Sequence, residues 1–121
     1  MYPLVPRCGV ARLSGAPVNP APIESTLTAA DLKQRLDAGE PLRLLDVREP
    51  DEFADFNLGG VNIPSGELPE RIQELEDWKA DDVIVVCYYG ALSDYASRYL
   101  RRKGFADAKN VEGGLEAFLS L

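Results

Sequence analysis

Cys87 is the residue of this sequence best placed to do chemistry. It ends the apolar run Val83-Ile84-Val85-Val86-Cys87 and is followed by Tyr88-Tyr89-Gly90-Ala91-Leu92-Ser93 and then an amphipathic stretch. That order reads as strand, short loop, helix N-terminus. Open α/β sheets bind their ligands at the C-terminal edge of such strands. A tight loop at that edge curls backbone N–H groups toward one point, and the start of a helix adds positive potential. An anionic sulfur is stabilised there, so a thiolate nucleophile needs no imidazole partner. Gly90 supplies the backbone freedom such a loop requires. The plainer reading of Cys87 is a small buried hydrophobe closing a core strand, and position alone leaves both readings open.

Composition removes other chemistries. The 121 residues contain no His, which takes away the commonest general base and the partner of Ser–His and Cys–His nucleophiles. The two cysteines, Cys8 and Cys87, form no CxxC motif, so neither a disulfide framework nor a metal site is expected, and no cofactor is called for. With 13 Lys+Arg against 20 Asp+Glu the net charge is −7, which argues against nucleic acid as a partner. No apolar stretch approaches the roughly 20 residues of a membrane span, so a cytoplasmic protein without membrane contact is expected.

The elements that must position Cys87 follow from the pattern. Residues 1–22 hold five prolines and, as their only charges, Arg7 and Arg12, and read as an extended arm or linker. From Ile23 to Leu121, short aliphatic runs alternate with amphipathic segments, the signature of one α/β domain. Thr28-Ala-Ala-Asp31 reads as a capping box opening a helix that Gly39 closes. Leu42–Val47 reads as a strand, Pro50–Phe56 as a short helix with Pro in its first turn, and Val61–Ile63 as a brief strand. Leu68, Ile72, Leu75 and Trp78 give a helix over Glu67–Trp78. Asp82–Cys87 is apolar enough for the middle of a parallel sheet. After a loop over Tyr88–Leu92, Ser93 is expected to cap a helix ending at Gly104, followed by a strand over Ala108–Val111 and a helix over Leu115–Leu121.

Five motifs, in order, then give the sequence a likeness. Leu45-Asp46-Val47-Arg48-Glu49-Pro50-Asp51-Glu52-Phe53, Gly60-Val61-Asn62-Ile63-Pro64, Val85-Val86-Cys87-Tyr88-Tyr89-Gly90, Gly104-Phe105 and Asn110–Phe118 together resemble the rhodanese-like, single-domain sulfurtransferase family over about residues 23–121. The Cys-Tyr-x-Gly opening of the loop is similar to that of small bacterial thiosulfate sulfurtransferases. The resemblance implies a five-stranded parallel sheet flanked by helices on both faces. It also implies a ping-pong reaction in which Cys87 takes sulfane sulfur from thiosulfate or a persulfide and passes it to a thiol, cyanide or protein acceptor.

On that resemblance Cys87 is the catalytic residue, and Tyr88, Tyr89, Gly90, Ala91, Leu92 and Ser93 form the substrate cradle, mainly through backbone donors. Tyr88 is expected to pack into the body and Tyr89 to line the mouth. Arg48 is a substrate-binding candidate as the nearest cation, and its expected anchoring partner is Glu52. Asp46 is expected to be structural, accepting backbone N–H bonds near the site. Asn110, Glu112 and Gly113-Gly114 read as a structural turn, and Arg98, Arg101, Arg102 and Lys103 as a solvated helix end. Where many family members place Arg or Lys in the loop, this chain has Tyr88, Leu92 and Asp94, which favours a persulfide donor over thiosulfate. Asn57 and Gly59 replace the family's usual His and Pro in the turn before Gly60, a change expected to loosen it. A non-catalytic docking or regulatory module, or a sulfur-relay domain of a larger cofactor-biosynthesis enzyme, is the alternative function. A phosphatase or arsenate reductase ranks last, because Ser93 stands where the Cys-x5-Arg loop of such enzymes needs its Arg.

Overall fold

The computed structural model describes residues 25–121. The arm over residues 1–22 and Cys8 lie outside the described residues. Five parallel strands, β1 (Thr26–Leu27), β2 (Arg43–Asp46), β3 (Val61–Asn62), β4 (Val83–Val86) and β5 (Ala108–Val111), form one sheet in the order β1-β5-β4-β2-β3. β4 lies between β2 and β5, pairing Leu45 with Val85 on one side and Val85 with Asn110 on the other. All four of its residues are buried, as expected of a strand covered on both faces.

Strand alternation divides the core. Val83, Val85 and Cys87 face one layer with Leu45, Val47, Ala96, Leu100 and Phe105, whereas Ile84 and Val86 face Leu27, Leu32, Leu44, Val111 and Leu115 on the other. The helices α1 (Ala29–Asp37) and α5 (Gly114–Leu119) cover the second face, and α4 (Ala91–Arg102) covers the first. α2 (Pro50–Asp55) buries no residue and connects β2 to β3. Burying each such aliphatic side chain contributes about 1.5–3 kcal/mol, so β4 is the best-secured strand of the sheet.

Thr28 caps α1 as expected, its Oγ1 accepting the Asp31 N–H at 3.0 Å. The helix expected over Glu67–Trp78 takes a different form. Only Leu68–Arg71 (α3) is α-helical, and Ile72–Trp78 winds as a 3₁₀ helix. Ile72, Leu75 and Trp78 recur every third residue, and three residues complete one 3₁₀ turn, so the tighter winding aligns all three on the core.

Candidate active site

Cys87 follows β4 directly and continues the face of Val83 and Val85, so its side chain turns toward α4. The chain then reverses on Gly90, whose φ of 104° belongs to the left-handed region. A Cβ there would lie 3.2 Å from the Gly113 nitrogen. Gly90 is itself the residue preceding α4, so the loop is three residues long and the helix opens at Ala91. Ser93 is therefore the third helical residue and caps nothing, contrary to the expectation from its type. The left-handed turn at Gly90 starts the helix three residues earlier than a cap at Ser93 would.

That shift brings Ser93 onto the sulfur. The Gly90 N–H donates to Cys87 Sγ at 3.1 Å and the Ser93 N–H at 3.3 Å. The Ser93 Oγ lies 3.4 Å from the sulfur, positioned to accept from the thiol. Its own hydroxyl donates to Asn110 Oδ1 at 2.5 Å, with the Gly90 carbonyl further off at 3.2 Å. Cys87 is 3% exposed, and Ser93 and Asn110 are also buried.

The loop is clamped from behind by the start of α5. The Leu115 N–H donates to the Cys87 carbonyl at 2.9 Å and the Glu116 N–H to that of Tyr88 at 2.8 Å. These bonds turn the loop carbonyls away from the sulfur and leave its surroundings to N–H groups. The approach is close enough that a Cβ on Gly114, at φ 62°, would sit 2.5 Å from both carbonyl oxygens. Of the first-turn amides of α4, Ser93 donates to the sulfur and Asp94 to the Gly90 carbonyl at 3.0 Å. Those of Ala91 and Leu92 precede the first intrahelical bond.

Asp46 and Arg48 form the buried polar pair at the end of β2. Arg48 grips Asp46, with Nη2 to Oδ2 at 2.8 Å and Nε to Oδ1 at 3.0 Å, and its Nη2 also donates to the Phe56 carbonyl at 2.6 Å. The Arg48 N–H donates to Asp46 Oδ1, bearing out the expectation for Asp46. The expected Glu52 partner is replaced by Asp46, because the Glu52 carboxylate turns back on local structure, accepting the N–H of Glu49, three residues earlier, at 3.1 Å. The Asp46 hydrogen bond raises the Arg48 pKa against the opposing cost of burial, and the charges of Asp46, Glu52 and Cys87 add to the rise. The guanidinium is thus charged, with Nε and Nη2 bonded to Asp46 and Phe56 and its field reaching the sulfur.

The mouth is aromatic and aliphatic. Tyr88 is 39% exposed and packs edge-on against Tyr89, itself 73% exposed, so Tyr88 does not enter the body as expected. The inward positions beside Cys87 are taken by Ser93 and Asn110. Leu92 and Tyr95, one helical turn apart, are 49% and 64% exposed. Asp94 is paired with Arg98 at 3.0 Å. In the turn before β3, Asn57 donates to the Phe53 carbonyl and accepts the Gly59 N–H, each at 2.8 Å, so the departure from the family pattern fastens this turn rather than loosening it. Asn110 was legible only as a turn residue. Its register opposite Val85, one alternation before Cys87, is the signal that sets it against Ser93.

Comparison with known proteins agrees with this geometry. The sequence profile of the Rhodanese-like domain matches residues 28–121. A protein of Allochromatium vinosum named Sulfurtransferase is 32% identical over 93 residues, covering 76% of this chain and 85% of that protein. Adenylyltransferase and sulfurtransferase MOCS3-2 of Zea mays is 36% identical over 111 residues, 87% of this chain. The chain spans 23% of that relative's length and less than half of some others. Among solved structures, a rhodanese-like domain protein from Staphylococcus aureus superposes with a TM-score of 0.69 at 30% identity, covering 78% of this chain and 90% of that one. The order of the five strands, the cysteine loop at the edge of the central one and the matched sequence lead to one conclusion: the chain belongs to the rhodanese-like domain family.

Proposed function

We propose that this protein is a sulfurtransferase that carries sulfane sulfur on Cys87. The observation that carries the reading is the pair of N–H groups on the sulfur, from Gly90 and Ser93, backed by the clamp of α5 on the loop carbonyls. Fixed donors of this kind stabilise anionic sulfur without reorganising during reaction. The Cys87 thiolate attacks the outer sulfur of the donor, forming a new S–S bond and releasing the rest of the donor: sulfite from thiosulfate, or a thiolate from a persulfide. A nucleophilic acceptor then attacks the outer sulfur of the Cys87 persulfide, and the S–S electron pair returns to Cys87. The amides of Ala91 and Leu92 cradle the outer sulfur in the intermediate state.

The mouth selects the donor. Tyr89, Leu92 and Tyr95 are exposed around it, Asp94 is balanced by Arg98, and Arg48 is committed to Asp46. Nothing among these described side chains offers a free cation to the sulfonate of thiosulfate, which favours a persulfide on a small thiol or a protein. Thiocyanate formation with cyanide as acceptor tests this. Turnover with a glutathione persulfide donor should exceed that with thiosulfate, and no turnover with either would overturn the reading.

A second reading is favoured by one observation, the similarity to a 23% portion of the Zea mays relative. On that reading the domain relays sulfur inside a larger enzyme, or serves as a docking or regulatory module. A Cys87 persulfide that forms but is not passed to cyanide supports the relay, and a cysteine that never loads supports the docking module.

A further inference from the structure

The polar groups around Cys87 pull on its proton in opposite directions. The N–H groups of Gly90 and Ser93, at 3.1 and 3.3 Å, favour the thiolate. The Ser93 hydroxyl carries a single hydrogen, and the short bond to Asn110 Oδ1 claims it. The oxygen therefore presents lone pairs to a sulfur 3.4 Å away, where it accepts from S–H and repels S⁻. The three groups form a directed chain, Cys87 S–H to Ser93 O–H to Asn110 Oδ1, all buried, in which each bond strengthens the next.

We propose that Asn110 is a positioning residue that, by taking the Ser93 hydroxyl proton, turns Ser93 into an acceptor and restrains formation of the Cys87 thiolate. When the S–H proton leaves to solvent, the hydroxyl must either rotate away from Asn110 or remain with its lone pairs against the anion. Both cost free energy, and less of it without Asn110, when the remaining acceptor of the hydroxyl is the Gly90 carbonyl at 3.2 Å. The effect is a resting cysteine less open to stray alkylation and oxidation than its loop alone would make it.

Other charged groups flank the site from each packed element. They are the Arg48–Asp46 pair at the end of β2, Asp94 with Arg98 on α4, and Glu112 and Glu116 on the turn into α5 and its first turn. None is altered by changing Asn110, so a shift on substitution reports the chain itself.

The inference rests on the sulfurtransferase reading for its purpose but not for its test. The probe is iodoacetamide, with alkylation of Cys87 followed against pH by mass spectrometry in a Cys8→Ser background. Asn110→Leu is expected to move the profile down, raising alkylation about tenfold at pH values below the midpoint, as one hydrogen bond to a charged group would. Ser93→Ala alone is expected to move it down as well, because it removes an acceptor. A simple hydroxyl donor to the thiolate would give the opposite shift. In the Ser93→Ala background, Asn110→Leu should add nothing. An upward shift in Ser93→Ala, or the same Asn110→Leu shift with and without Ser93, would overturn the proposal. Where Asn110→Leu fails to fold, an upward shift in Ser93→Ala alone still overturns the proposal. If these shifts appear but no donor loads the cysteine, the tuning stands and the sulfurtransferase reading falls.

Discussion

At the N-terminal end of β4, Asp82 is held between Arg35 at 2.9 Å and Lys109 at 2.8 Å, carboxylate against long cationic side chains. At the C-terminal end of the same strand, the sulfur of Cys87 is held by two backbone N–H groups and a serine hydroxyl, in a loop without a Lys or Arg. The first end is a set of paired side-chain charges. The second is rich in donors and poor in formal charge, and its donors belong to the backbone. Side-chain identity therefore governs the Asp82 end, whereas backbone conformation, fixed by Gly90 and by the fit of Gly114 against the loop, governs the Cys87 end. On the proposed function, in which Cys87 gains and loses a sulfur atom, donors that cannot swing away serve it better.

The contrast can be broken most completely at the sulfur. Cys87→Ser, made with Cys8→Ser, should reduce sulfur transfer to the uncatalysed rate while leaving the melting temperature within a few degrees, since the substitution is nearly isosteric and only the nucleophile is lost. The next largest effect is expected at Arg48. Arg48→Met leaves Asp46 as a buried carboxylate without its counter-charge, which costs about 3–5 kcal/mol by denaturant unfolding. Because the Arg48 pKa is raised, the pair's contribution is fully present below the guanidinium's ordinary range, so this loss should not vary between pH 6 and 9.

Gly114→Ala sharpens the backbone half of the comparison. A methyl group 2.5 Å from the Cys87 and Tyr88 carbonyls, on a left-handed residue, should cost about 1–3 kcal/mol. It should also lower the rate of Cys87 persulfide formation by displacing the loop. Asp82→Ala, at the other end, is expected to cost about 1–2 kcal/mol and to leave the reactivity of Cys87 unchanged. The smallest effect is a gain: Leu92→Arg places a cation at the mouth and should raise thiosulfate turnover severalfold, with a smaller change for a persulfide donor that lacks a sulfonate. An equal change with both donors would contradict the account of donor choice.

Much of the frame was legible from the sequence, because it rests on local patterns. The Val83–Val86 strand, the Thr28 cap, Pro50 in the first turn of α2 and the Ala108–Val111 strand need only neighbouring residues to specify them. What escaped depends on contacts between distant segments or on competition between local choices. Ser93 looked like the better cap, yet the left-handed Gly90 started α4 earlier and freed Ser93 to meet Cys87 and Asn110. Arg48 had two carboxylates within reach in the chain, and Glu52 was consumed by the Glu49 N–H. The 3₁₀ winding of Ile72–Trp78 was written in a three-residue spacing that also fits an α-helix. Cys87 itself was legible as a strand-end thiol, but its donors were not, since they are amides whose direction is set by the turn and by α5.

The central claim, that Cys87 carries sulfur, is tested most directly by the intact mass of the protein after incubation with thiosulfate and, in parallel, with a persulfide donor. The account predicts a reductant-sensitive gain of about 32 Da, one sulfur, located on Cys87 and greater with the persulfide donor. No gain with either donor, or a gain located elsewhere in the chain, would contradict it.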